Sequence, residues 1–128
     1  MPTTLEAATA AFYEALNAVL GGDSGPMLEL WSHSDDVTYM SPFGELLVGW
    51  EPVRESWQAQ AGQQLGGRVD PEALRYFESP TLGFVVGFER GTVEIAGSTT
   101  PVNIRATSMY RVEDGRWRMI GHHTDPLG

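Results

Sequence analysis

A chain of 128 residues with 41% hydrophobic and 20% charged side chains has the size of one domain, able to bury roughly 68% of its unfolded surface. Eight arginines, no lysine and 17 acidic residues leave a formal charge of −9, which excludes the basic surface that nucleic acid or an anionic membrane requires. The absence of cysteine excludes disulfides, a thiolate nucleophile and a zinc–thiolate site. The opening MPTTLEAATAAF lacks a basic stretch followed by an apolar core, and no apolar run reaches membrane-spanning length, so a cytoplasmic protein is expected.

Leu5, Ala8, Phe12, Ala15, Leu16 and Val19 recur at spacings of three and four and predict a first helix. Thr3 and Glu6 form a capping box at its start, and Gly21-Gly22 stops it. A short second helix follows Asp23 or Ser24, with Pro26 in its first turn. Residues 37–40 and 46–48 read as short strands around the turn Ser41-Pro42-Phe43-Gly44. Pro52 opens a third helix with Val53, Trp57 and Ala61 on one face, ended by Gly66-Gly67. Four strands then follow, at 74–78, 82–95, 102–112 and 117–124, giving the α+β pattern of helices first and an antiparallel meander after. In the strand 82–90 the even positions Leu82, Phe84, Val86 and Phe88 are apolar and are expected to meet the helices. Val85, Met109, Met119 and Trp117 are then expected on the outer face. Gly83, Gly87, Gly91 and Gly97 read as relief for the bending of a curved sheet.

The order of elements, the SPFG turn, a helix ending near Gln64 and the closing RATSMYRVEDGRWRMIGHHTD together resemble the NTF2-like superfamily, in its SnoaL-like, ketosteroid-isomerase-like branch. The most specific part is the closing hairpin, with Arg105, Thr107, Asp114, Gly115, Trp117 and His123 in place and Asp125 where relatives often carry Ser. The resemblance covers nearly the whole chain as one domain, 1–128. It implies a cone of three N-terminal helices packed in a strongly curved antiparallel sheet of five or six strands, with a pocket at the open end. It also implies homodimers through the outer sheet face. Two steroid-isomerase positions depart from that pattern: Ser41 stands where those enzymes carry a catalytic Asp, and Ala15 where they carry an oxyanion-binding Tyr, with Tyr13 two residues away.

The register of the final hairpin sets which histidine faces the pocket. A three-residue loop pairs Val112 with Arg116, placing Arg105 opposite His123 and Ala106 opposite His122. A two-residue turn pairing Glu113 with Arg116 shifts this by one and exchanges the faces. In the first register His122 shares the helix-facing side with Ser108 and Tyr110, whereas Glu89, Arg105, His123 and Asp125 form an ion-pair network on the other. His122 is then a candidate acid or base, with Tyr39 or Ser41 as hydrogen-bonding partner. Trp31, Trp50, Trp57, Phe43, Ser108 and Tyr110 are the candidate pocket lining. His33, Asp35, Asp36, His122, His123 and Asp125 carry metal-ligating groups, yet adjacent strand residues 122 and 123 point to opposite faces and cannot chelate one ion. Neither a metal nor a cofactor is expected.

Two functions fit these residues. The first is a domain that binds a small apolar or amphipathic molecule without catalysis. The second is an enzyme of the isomerase, cyclase or hydratase kind, acting on a small apolar carbonyl compound through His122.

Overall fold

The computed structural model describes residues 2–127. Helix α1 (Leu5–Leu20) turns its apolar stripe, including Leu5, Ala8, Phe12 and Val19, into the core. Its cap is Thr4 rather than Thr3: the Thr4 hydroxyl accepts from the Ala7 amide at 3.1 Å. Asn17, on its last turn, donates to the Val69 carbonyl and accepts from the Val69 amide, both at 2.8 Å, which pins the helix to the first long strand. Helix α2 (Gly25–Leu30) carries Pro26 in its first turn, and α3 (Trp50–Gln63) buries Trp50, Val53, Trp57 and Ala61. Trp31, Trp57, Phe12, Met27 and Tyr110 meet at the centre of the core. No helix among the described residues is long and apolar enough to cross a membrane.

The six strands β1 (Thr38–Met40), β2 (Leu47–Val48), β3 (Arg68–Glu78), β4 (Leu82–Ile95), β5 (Ser98–Glu113) and β6 (Arg116–Pro126) form one curved sheet in the order β2-β1-β6-β5-β4-β3. The expected α+β cone is therefore present, with one difference: β1 runs parallel to β6, so the sheet is mixed rather than wholly antiparallel. Strand β3 begins at Arg68, six residues before the expected Leu74. Pro71 lies within it, tolerated because β3 is an edge strand. A bulge between Glu72 and Arg75, where Ala73 has φ of 56°, breaks the alternation that sequence reading relies on.

The faces of β4 are the reverse of the expectation. Val85 and Glu89 are buried at 3% and 4% exposure on the helix side, whereas Leu82 and Phe84 face outward at 52% and 45%. Packing explains the inversion. A Cβ on Gly83 would lie 3.1 Å from Leu5 Cδ2, so the side of the strand nearest α1 admits little bulk. Gly83 follows from helix approach, Gly87 and Gly91 from the closeness of β3, and Gly97 belongs to a turn with φ of 80°.

The β5–β6 hairpin closes with two residues, Asp114 and Gly115, at φ of 52° and 77°, pairing Glu113 with Arg116. Both positive angles suit a type I′ turn. Near the turn this shift places Trp117 and Met119 inside, at 7% and 0% exposure, instead of outside. Farther along, Tyr110 pairs with Met119 but Met109 pairs with Gly121, so Ile120 is an extra residue in β6. That bulge supplies a second one-residue shift, and the two together restore the original alternation. His122 consequently faces inward opposite Ser108, and His123 outward opposite Thr107.

Candidate functional site

At the open end of the cone a cavity of about 120 Å³ lies between α1, α3 and the concave side of the sheet. Its wall is mostly apolar, with Leu16, Leu20, Trp57, Val69 and Ile104 prominent. Glu89, His122, Tyr39, Gln60 and Thr124 are its polar members. Four elements supply them: Glu89 comes from β4, His122 and Thr124 from β6, Tyr39 from β1, Gln60 from α3.

Glu89 is the centre of this group. Its Oε2 accepts the Tyr13 hydroxyl at 3.0 Å and lies 3.1 Å from His122 Nε2. His122 Nε2 meets Glu89 as a close polar contact rather than an aligned hydrogen bond, and on the other side of the ring Nδ1 and the Ser108 hydroxyl are hydrogen-bonded at 2.8 Å. Phe12 packs on the imidazole with ring centroids 4.5 Å apart. Glu89 Oε1 has no hydrogen-bond partner among the described residues and is not sealed from the cavity. One oxygen is thus held from two sides while the other is free.

Tyr39 stacks on Trp57 at 4.6 Å, and its hydroxyl accepts from Gln60 Nε2 at 3.0 Å. Its own proton is left without an acceptor among the described residues. Burial holds the Tyr39 phenol well above its ordinary value against the opposing Gln60 hydrogen bond, and Glu89 adds to the rise. Burial likewise raises the Tyr13 phenol, with Glu89 reinforcing it. Both phenols therefore stay protonated and act as donors.

The remaining candidates divide among different places. Trp31 is wholly buried in the core away from the cavity, its Nε1 without a partner. Trp50 stacks on His33 at 4.1 Å, also outside the cavity. Ser108 and Tyr110 lie beneath it, the Tyr110 hydroxyl beside Thr9 and Ser108 without an aligned hydrogen bond among the described residues. Of the proposed aromatic lining, Trp57 and Phe43 reach the cavity, Phe43 at its mouth with 74% exposure. Ser41 accepts the Phe43 amide at 3.3 Å within the turn and lines a neighbouring groove.

The expected four-residue ion-pair network does not form, because Glu89 is on the opposite side of the sheet from the rest. Arg105 pairs with Asp125 alone, Nε to Oδ1 at 3.3 Å, with both side chains more than half exposed. His123 Nε2 lies 2.8 Å from Thr38 Oγ1. A larger polar cluster joins Arg111 to Asp36 and Glu113, each at 2.7 Å, at the closed end of the cone. It ties the loop after α2 to β5. Among the described residues, no three His, Asp or Glu side chains are placed to hold one metal ion.

The sequence placed Glu89 in an outer-face ion-pair network rather than in the cavity, and assigned Tyr13 no role. The available signal was the glycine pair Gly83 and Gly87 on the Glu89 side of β4, which marks a crowded face: Gly83 meets Leu5 of α1 and Gly87 meets Glu72 and Leu74 of β3.

Helices held inside a curved six-stranded sheet, with a pocket at the open end, are the NTF2-like architecture. Residues 5–125 match the family described as SnoaL-like domain, and the chain belongs to it. A structure from Thiobacillus denitrificans, named provisionally as a calcium/calmodulin-dependent protein kinase type II association domain, is 31% identical. It superposes with a TM-score of 0.78 over 100% of this chain and 98% of that one. A provisional dehydratase of the NTF2-like family from Streptomyces avermitilis reaches a TM-score of 0.84 at 18% identity, covering 97% and 94% of the two chains, a likeness of fold alone. The F-box protein SKIP8 of Arabidopsis thaliana is 25% identical over 101 residues, and the alignment takes in 79% of this chain but only 41% of that protein.

Proposed function

We propose that this domain binds a small, uncharged carbonyl compound in the cavity and transfers a proton at the carbon beside the carbonyl. Glu89, rather than His122 as the sequence suggested, is the base. The observation that carries this reading is the buried carboxyl with Oε2 held by Tyr13 and His122 and Oε1 open to a mostly apolar chamber. The carbon-bound proton passes to Oε1, and the electron pair moves to the carbonyl oxygen, where the unused Tyr39 O–H stabilises the developing charge. His122 and Ser108 orient Glu89, and Thr124, donating to the Met40 carbonyl at 2.8 Å, takes no part. The chemistry needs no cofactor. The provisional dehydratase name of the Streptomyces avermitilis relative is compatible with such a step.

The test is exchange of the α-protons of small cyclic ketones in D₂O, followed by NMR with and without the protein. Glu89→Gln is expected to slow the protein-dependent exchange by about 100-fold or more, the usual contribution of a positioned base. Exchange equal in wild type and variant would remove Glu89 from the chemistry. Ketone binding without exchange would favour the second reading, a non-catalytic binding domain, which the loss of the steroid-isomerase acid at Ser41 and tyrosine at Ala15 supports.

Self-association through the outer sheet face belongs to the same proposal. Leu82, Phe84 and Phe77 are about half exposed there, with Phe77 and Phe84 stacked at 4.8 Å, and a contiguous apolar face of this kind suits a second copy of the chain. The association-domain name of the 31% identical relative supports an assembly role for the fold. A cytoplasmic location, compatible with the lack of cysteine, completes the proposal.

A further inference from the structure

The cavity is too small for most of the molecules that a carbonyl-directed site would serve. An apolar cavity of about 150 Å³ holds one benzene, and this one has about 120 Å³. It accepts a single small ring and little more. Its mouth, however, continues into a groove of about 450 Å³ along the far ends of β4 and β5. Pro42, Phe43, Val93, Ile95, Val102 and Ile104 line both spaces, so the two form one continuous surface. Beyond them the groove is floored by Pro101 and Leu127 and, among the described residues, has no charged side chain, with Thr100 and Asn103 as its polar members. The groove on the other side of Phe43 differs: Glu45 and Glu55 line it, and it offers an apolar chain less.

We infer that the ligand is bipartite, resting on the proposed reading of the site. A ring-sized carbonyl head enters the cavity beside Glu89 and Tyr39, and an uncharged apolar extension leaves past Phe43 to lie between Val102 and Leu127. The formal charge of −9 and the buried carboxyl disfavour an anionic tail, and among the described residues no carboxylate lines the groove to partner a cationic one. Specificity for the length of the extension then resides in the β4–β5 tip and the segment after β6, not in the catalytic group.

The experiment is calorimetric titration of the full chain with cyclohexanone and with 4-alkylcyclohexanones from methyl to hexyl. Affinity is expected to rise about fourfold with each methylene, the equivalent of burying one CH₂, and to level off once the chain leaves the groove. Leu127→Glu, which places a carboxylate in the groove outside the cavity, is expected to flatten that dependence. A series with no dependence on chain length, or a dependence that Leu127→Glu leaves intact, overturns the inference. Ketone exchange that requires Glu89 together with a flat series sinks the groove alone. A rising series without exchange sinks the chemistry alone. Failure of every member to bind sinks both.

Discussion

Ser108 and His123 show how differently two neighbouring polar positions contribute. Ser108 is 3% exposed and hydrogen-bonded to His122 Nδ1, so Ser108→Ala leaves a buried ring nitrogen without a partner. That variant is expected to lose about 1–3 kcal/mol of stability, measured by urea unfolding. A loss within error of zero would mean that the hydroxyl does not hold the imidazole. His123, on the other face, is held below its ordinary value by burial and then by the nearby His122. As pH falls, the unfolded chain therefore takes up this proton before the folded one does. Stability should decline below about pH 6.5 and stop declining once the folded-state value is passed. His123→Asn is expected to reduce that slope in urea midpoints measured across pH 7 to 5, and an unchanged slope would assign the effect to another group. The exposed Arg105–Asp125 pair, by contrast, lies in a setting where ion pairs contribute little.

Among the elements, the first helix and the final hairpin separate local chemistry from its apparent sequence signal. Thr3 and Thr4 both precede the helix, yet only Thr4 reaches an orphan amide. Thr4→Ala should cost about 1 kcal/mol and Thr3→Ala close to nothing, by thermal or urea unfolding. The reverse order would restore the Thr3–Glu6 box. In the hairpin, the two-residue turn and the Ile120 bulge act as paired one-residue shifts. The turn brings Trp117 and Met119 into the core beside Tyr110, and the bulge returns His122 to the inside six residues from the turn's end. The same residues paired without a bulge would turn His123 inward and leave Glu89 without the His122 imidazole.

For the molecule as a whole, the concave side of the sheet is occupied by three helices while the β3–β4 end of the convex side carries the exposed apolar groups Phe77, Leu82 and Phe84. Burying Phe84 and Phe77 against a second copy would remove them from water. Phe84→Asp is expected to convert a dimer to a monomer in sedimentation at micromolar concentration while leaving the fold intact by circular dichroism. Wild type already monomeric under those conditions would end the self-association proposal. Such a dimer would leave the cavity mouth free, because the mouth lies at the open end of the cone, lined by Phe43, Ile95 and Ile104.

Element order, the approximate bounds of β4 and the helix faces carrying Leu5, Phe12, Val53 and Trp57 were legible in the residues alone, whereas Trp31, read as helical, is buried just past α2 in a bridge to Met119. Helical and strand periods are local properties, and a helix with one apolar stripe has only one way to hide it. The same alternation in β4 is symmetric: Leu82, Phe84, Val86 and Phe88 form a good apolar face whichever side it turns to. Only the approach of α1, which crowds Gly83 with Leu5, decided that this face points outward and that Glu89 points in. The inward direction of His122 rested on the sum of a turn and a bulge, which the sequence does not reveal separately because each shifts the strand by one residue. The site was therefore half visible. His122 and Tyr39 could be named from their types, whereas their union with Glu89 and Tyr13 required the sheet to curve around the helix and bring β1, β4, β6 and α1 to one cavity.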